Sequence, residues 1–166
     1  ASLTVQALDI RPSLSTVLRD FERVRQLLEQ QGVIDPNRQR RLPSQPSTIA
    51  VLTSVPSSAL ADMLRTAAER WPMTQLIVIP IPVQGAVAST IIDTLVGLAE
   101  RTSKLGIQAL VLARGGGSRE DLAVFDDEAL CRVLASYPVP VVTGLGHEDD
   151  LTVADLVADH RAATPT

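Results

Sequence analysis

Four short apolar runs, Ile49-Ala50-Val51-Leu52-Thr53, Leu76-Ile77-Val78-Ile79, Ala109-Leu110-Val111-Leu112 and Val139-Pro140-Val141-Val142, leave this chain few ways to fold. Each is too continuous for a strand with one wet face and too short for a buried helix, so the four read as parallel strands. Between them, Ser57 to Arg70, Ala86 to Ser103 and Asp126 to Ser136 begin polar and carry apolar stripes such as Ile91, Leu95 and Leu98. Strands alternating with helices predict an α/β fold: an open doubly wound parallel sheet of about four strands, Rossmann or flavodoxin-like, in the order 2-1-3-4. Gly106 is placed to close one helix and Trp71-Pro72 another.

Ahead of this pattern, residues 3 to 8 alternate like the end of a strand. After Arg11-Pro12-Ser13, the residues Leu14, Val17, Leu18, Phe21, Val24 and Leu28 repeat with helical spacing up to Gly32. Pro36, Pro43 and Pro46, with Arg38, Arg40 and Arg41 among them, suit an extended connector and neither a helix nor a central strand. The expected division is therefore 1–47 for an entry segment, a helix and the connector, and 48–166 for the α/β domain. Ala1 and Thr164-Pro165-Thr166 look like cut points, so the sequence reads as a piece of a longer chain.

Composition narrows the function. Apolar residues make up 45% of 166, enough for a core, and no run is long enough to span a membrane. The single cysteine, Cys131, excludes an internal disulfide and fits a reducing cytoplasm. Phe21, Trp71, Phe125 and Tyr137 are the only aromatics, which leaves no platform for stacking unpaired bases. The net charge is −4, and residues 119–166 hold ten carboxylates against three arginines. A polyanionic substrate must then be held by local donors.

Ligands of open parallel sheets bind beyond the carboxyl ends of the strands, and the unusual residues of this chain all follow a strand. After the third run comes Arg114-Gly115-Gly116-Gly117-Ser118. Glycine amides can converge on an anion, Arg114 offers a two-pronged donor, and Ser118 can cap a helix opened by Glu120-Asp121-Leu122. The plain alternative is a tight turn. Neither nucleotide loop fits, since no Lys follows the last glycine and Glu120 stands where a dinucleotide fingerprint has its third glycine.

After the fourth run, His147 emerges from a Gly144-Leu145-Gly146 turn, with Asp150 three residues on. Its plain reading is a satisfied rim side chain. Beside an anion cradle it can also move a proton, with Asp150 fixing its tautomer or else capping the next helix. Asp62 lies in the opening turns of the Ser57 to Arg70 helix and is either a dipole partner or a site residue. Asp155 and Asp159, four apart, invite a divalent-metal reading with Glu148 and Asp150; the plainer one is a solvated helix face, with Arg161 pairing an acid at the helix end.

Arg114-Gly-Gly-Gly-Ser-Arg-Glu-Asp-Leu, Phe125-Asp-Asp-Glu128, Gly146-His-Glu-Asp-Asp150 and Ala154-Asp-Leu-Val-Ala-Asp-His-Arg-Ala-Ala-Thr-Pro165 together resemble the catalytic core of the exonuclease VII large-subunit family. Val83-Gln84-Gly85 and the stretch from Gly32-Val-Ile-Asp35 to Leu42-Pro43 fit as well. The resemblance implies hydrolysis of single-stranded DNA from either end to short oligonucleotides. It implies catalytic roles for Arg114, His147, Asp150 and Asp62, a preceding OB domain, and a following helical region that gathers small subunits. No metal is required in its best-known members, although a divalent ion is compatible. Ala123, Asp149 and Ala163 depart from the family pattern, which bears on packing and charge near the site. From the residues alone, a small-molecule phosphoesterase and a non-catalytic phosphate-binding assembly module remain open.

Overall fold

The apolar runs pair because each leaves its neighbour's backbone donors and acceptors a partner along its whole length. In the computed structural model, which describes residues 13–82 and 87–163, they form β1 (Thr48–Thr53), β2 (Gln75–Pro80), β3 (Ala109–Ala113) and β4 (Val141–Gly144). All pairings are parallel and the order is β2-β1-β3-β4, as expected, with a fifth strand, β5 (His160–Arg161), beyond β4. Two polar residues carry no apolar run, so β5 was not legible; the bonds Asp159 N–H to Val141 O and Ala162 N–H to Thr143 O hold it. The alternation at residues 3 to 8, Val83-Gln84-Gly85 and Thr164-Pro165-Thr166 lie outside the described residues.

Side-chain caps set the helix starts. Ser13 accepts from Thr16 N–H ahead of α1 (Leu14–Gln30), Ser57 from Leu60 N–H ahead of α2 (Ser58–Arg70). The single helix expected over Ala86 to Ser103 is two, α3 (Ala88–Ala99) and α4 (Thr102–Leu105), with Gly106 as the closing residue. At the break, Arg101 N–H and the Thr102 hydroxyl both turn back to the Leu98 carbonyl. Asp127 caps α5 (Glu128–Ala135), and Thr152 with Asp155 forms a reciprocal capping box on α6 (Val153–Val157).

The β1-to-β2 connection runs across the sheet in the opposite direction from β2 to β3 and β3 to β4. Right-handed crossovers then place α2 on one face and α3 and α5 on the other. Register sets Ala50, Leu110 and Val141 side by side, and likewise Leu52, Leu112 and Thr143, all fully buried under the α3 and α5 face. The other face is thinner. Ile49, Val111 and Val142 there stay partly exposed, as does all of β2 at the edge. Val51 and Thr53 on that face are nevertheless buried, so the central strands have no wet face, as expected, and only β2 at the edge departs. Val24 and Leu28 of α1 join the main core, whereas Leu14 and Leu18 in its first turns are 45% and 49% exposed.

Asp155 and Asp159 do not share a helix face, because α6 stops at Val157. Both are buried and committed, so neither the solvated-face nor the metal reading holds for this pair. Asp155 takes Thr143 Oγ1, Thr152 N–H and Thr152 Oγ1. Asp159, with its side chain 6% exposed, accepts from Val141 N–H (2.8 Å) and from Arg40 through N–H (2.7 Å), Nε (3.1 Å) and Nη2 (2.9 Å). Arg40 also donates to the Tyr137 carbonyl. The basic connector is therefore strapped to the sheet through one carboxylate.

Burial alone would raise the Asp159 pKa, but Arg40 and the two backbone N–H groups outweigh it and hold the carboxyl below its usual value. Its stabilising contribution is present above the unfolded-state pKa of about 3.9 and is lost as pH falls through the lower folded-state value. Asp159→Asn should therefore cost about 1.5–3 kcal/mol near neutrality, the range for hydrogen bonds to a charged group. Urea unfolding at stepped pH should show that difference shrinking from about pH 5 downward.

Candidate active site

Ala113 and Gly144 are paired neighbours at the carboxyl ends of β3 and β4, so the segments that follow them start from one point on the sheet edge. The Arg114 N–H extends the ladder one step, donating to the Gly144 carbonyl at 3.0 Å. On the other side, Gly115 lies against the first turn of α2. A Cβ there would sit 3.4 Å from Ala59 Cβ and 3.9 Å from Ser58 Oγ. Three of the four strand-end segments are thus brought together, and the fourth, after β2, runs into residues outside the description.

The three glycines have different surroundings, which one-residue reasoning does not reveal. Gly116 has open space where a side chain would go. At Gly117, a Cβ would fall 2.9 Å from Arg114 Nη1 and 3.3 Å from its Cζ and Nη2, so the missing side chain is the room the guanidinium occupies. Nη1 is buried with no hydrogen-bond partner. Ser118 does not cap an α-helix. Its N–H and hydroxyl both donate to Asp121 Oδ2 at 3.0 Å, tightening the entry to a 3-10 turn over Glu120–Asp126. The anion cradle expected from Gly115 to Ser118 is reduced by that amide.

His147 is exposed, and its carbonyl accepts from Asp150 N–H at 2.9 Å. No hydrogen bond joins the Asp150 carboxylate to the imidazole. Asp150 does not cap α6 either, since Thr152 does. Gly146 is pressed into its neighbours: a Cβ would lie 2.8 Å from Leu122 Cδ1 and 3.0 Å from Asp150 Cβ, so this turn packs on the 3-10 segment. Asp62, in the second turn of α2, pairs with Arg65 at 3.0 Å on the surface and not with Arg114.

One charged pair escaped the sequence reading altogether. Arg119 Nη2 meets Asp126 Oδ2 at 2.6 Å with side chains 9% and 4% exposed, and Asp126 Oδ1 accepts the Val153 N–H at 3.0 Å. Burial pushes the Asp126 carboxyl up. Arg119 also lies over the Phe21 ring of α1, 5.5 Å from its centroid. This pair joins the glycine segment to the start of α6. Only the apolar setting of Phe125-Asp126 hinted at a buried acid.

Among the described residues, no three His, Cys, Asp or Glu side chains gather into a metal-holding group. No helix there is long and apolar enough to cross a membrane. A groove of about 360 Å³ lined by Pro46, Arg70, Trp71 and Met73, among others, lies at the amino ends of β1 and β2, away from the rim.

A family model described as "Exonuclease VII, large subunit" matches residues 33–166. The chain is 87% identical over its full length to the exodeoxyribonuclease 7 large subunit of Synechococcus sp. (strain CC9605), covering 43% of that protein. It is 42% identical over 164 residues to the one from Nitrosomonas eutropha, covering 36%. It is 41% identical over 157 residues to the one from Legionella pneumophila (strain Lens), covering 35%. The chain thus spans less than half the length of these relatives.

The Gly117 contact is testable without any assay of activity. Because the atom in the way is the end of a flexible side chain, Gly117→Ala should displace the Arg114 guanidinium, and because Gly117 has φ +159°, where a side chain is strained, it should also lower stability. A crystal structure of the variant should show Arg114 turned away, with unfolding free energy reduced by about 1–3 kcal/mol.

Proposed function

Because this chain belongs to the exonuclease VII large-subunit family, we propose that it is the catalytic portion of an exodeoxyribonuclease. In this reading it hydrolyses phosphodiester bonds of single-stranded DNA from either end and releases short oligonucleotides. The observation that supports this most directly is the Arg114 guanidinium, held against the glycine segment with one buried Nη1 donor unpaired. A buried donor without an acceptor costs about 1–3 kcal/mol, and a non-bridging phosphate oxygen arriving there would remove that cost.

The chemistry follows from what the rim residues can do. Water attacks phosphorus in line, the bond to the leaving sugar oxygen breaks, and that oxygen takes a proton. Arg114, with the Gly115 to Gly117 amides, stabilises the charge that grows on the non-bridging oxygens. His147 moves the proton. Asp150 lies beside it in the same turn and orients it once DNA is bound, and Asp62, one turn into α2 from the Gly115 contact, positions the strand or the water. No step needs a group beyond these side chains, so cleavage is proposed to proceed in chelator. The acidic surroundings give little general attraction for DNA, and the proposed OB domain and small subunits, both outside this chain, supply the grip on the strand.

The test uses the full-length protein with its small subunit and end-labelled DNA, single-stranded and duplex, with and without EDTA. In single-turnover cleavage, His147→Ala should lose about 100-fold or more while DNA affinity changes little. Arg114→Lys should be nearly as damaging as Arg114→Ala, on the order of 100-fold, because an ammonium cannot span two oxygens as the guanidinium fork does. A lysine variant that melts normally and cuts at near the normal rate would remove the clamp.

A further inference from the structure

The turn that carries His147 is exposed at His147, Glu148 and Asp149, and by itself it closes through one bond, from Asp150 N–H to the His147 carbonyl. Its other anchor comes from the sheet edge. Arg161 of β5 sits beside Thr143 of β4 in register, and its Nη2 donates to the carbonyls of His147 (3.1 Å) and Glu148 (2.9 Å). Its Nε lies 3.7 Å from Asp155 Oδ2. Asp155 is 2% exposed at the side chain and is fixed by Thr143 Oγ1 at 2.6 Å and by Thr152 N–H and Oγ1, both at 2.9 Å. A continuous chain of polar contacts therefore runs from the buried end of β4, through Asp155 and Arg161, to the two peptide groups on either side of Glu148, the first of them the His147–Glu148 link.

From this geometry we propose that Arg161 is a positioning residue for His147, an inference that rests on the role given to His147 under Proposed function. Two successive carbonyls held on one charged nitrogen fix the peptide plane after His147 and so the direction in which its Cα–Cβ bond leaves the turn. Charge-assisted bonds are the stronger kind, and the guanidinium that makes them is itself held by a buried carboxylate. Proton transfer needs heavy atoms within hydrogen-bond reach, and a misplacement of about 1 Å costs on the order of 100-fold. Arg161 acts through the backbone of the turn, without touching the reacting atoms.

The experiment again uses the full-length protein with its small subunit. Arg161→Ala should slow single-turnover cleavage by about 10- to 100-fold, with DNA affinity within about threefold. Arg161→Lys keeps a cation beside Asp155 but loses the fork, and should recover part of the rate. Combined with His147→Ala, the Arg161→Ala change should add nothing, since the group it positions is gone. Hydrogen exchange reads the tether apart from activity and apart from folding: in Arg161→Ala, amides 146–150 should exchange faster, with protection of β3 and β4 unchanged. Unaltered exchange in that turn, a normal rate, weakened DNA binding that accounts for the loss, or an equal further loss in the double variant would each overturn the proposal. A His147→Ala enzyme of normal rate would instead overturn the role of His147, and with it the part of Arg161 in the reaction.

Discussion

The parallel pairing of β3 with β4 is the constraint on which the rest of the rim depends. With Ala113 level with Gly144, and Arg114 bonded once more to the Gly144 carbonyl, two irregular segments are forced to begin side by side. Everything at the rim is then a matter of how each segment turns. The glycine segment leans on α2 at Gly115 and gives its Gly117 side-chain space to Arg114, while the other packs Gly146 against Leu122. A slip of one residue in register would turn Leu110 and Leu112 out of the core and part these segments at the same time.

Buried charge does a second job in this molecule, joining segments that the sheet does not. Arg40 and Asp159 strap the connector to β4, Arg119 and Asp126 tie the glycine segment to α6, and Arg161 with Asp155 ties β5 to the His147 turn. Such pairs give back little net stability after desolvation, yet removing one partner is costly, so they favour one arrangement over near alternatives. All three acids lie between residues 126 and 159. A tail that looks like an acidic surface when charges are counted is, in part, a set of internal clasps.

The two sheet faces also divide the labour. Under α3 and α5 lies the aliphatic core of Leu52, Leu110, Leu112, Leu130 and Leu134. The face under α2 is thinner, and it is α2 that presents Asp62 and receives Gly115.

The sequence by itself determined the alternation of strands and helices, the polar start of a helix at Ser57, the closing of another at Gly106, and the rim position of Arg114 and His147, while the order of the first four strands came by analogy with small open α/β sheets. The physical reason is local: a continuous apolar run must be buried, a residue just after it must emerge at the strand's carboxyl end, and a polar residue at a helix start satisfies nearby N–H groups. What only the tertiary structure decided is where the charged side chains point. Asp155 and Asp159 share a spacing but not a helix, Ser118 turns to Asp121, Asp62 to Arg65, and Arg161 reaches the carbonyls of residues 147 and 148. For Asp159 and Arg119 the partners, Arg40 and Phe21, come from remote segments that no window of neighbouring residues contains, whereas Ser118 with Asp121 and Asp62 with Arg65 are local pairs that the fold leaves in place.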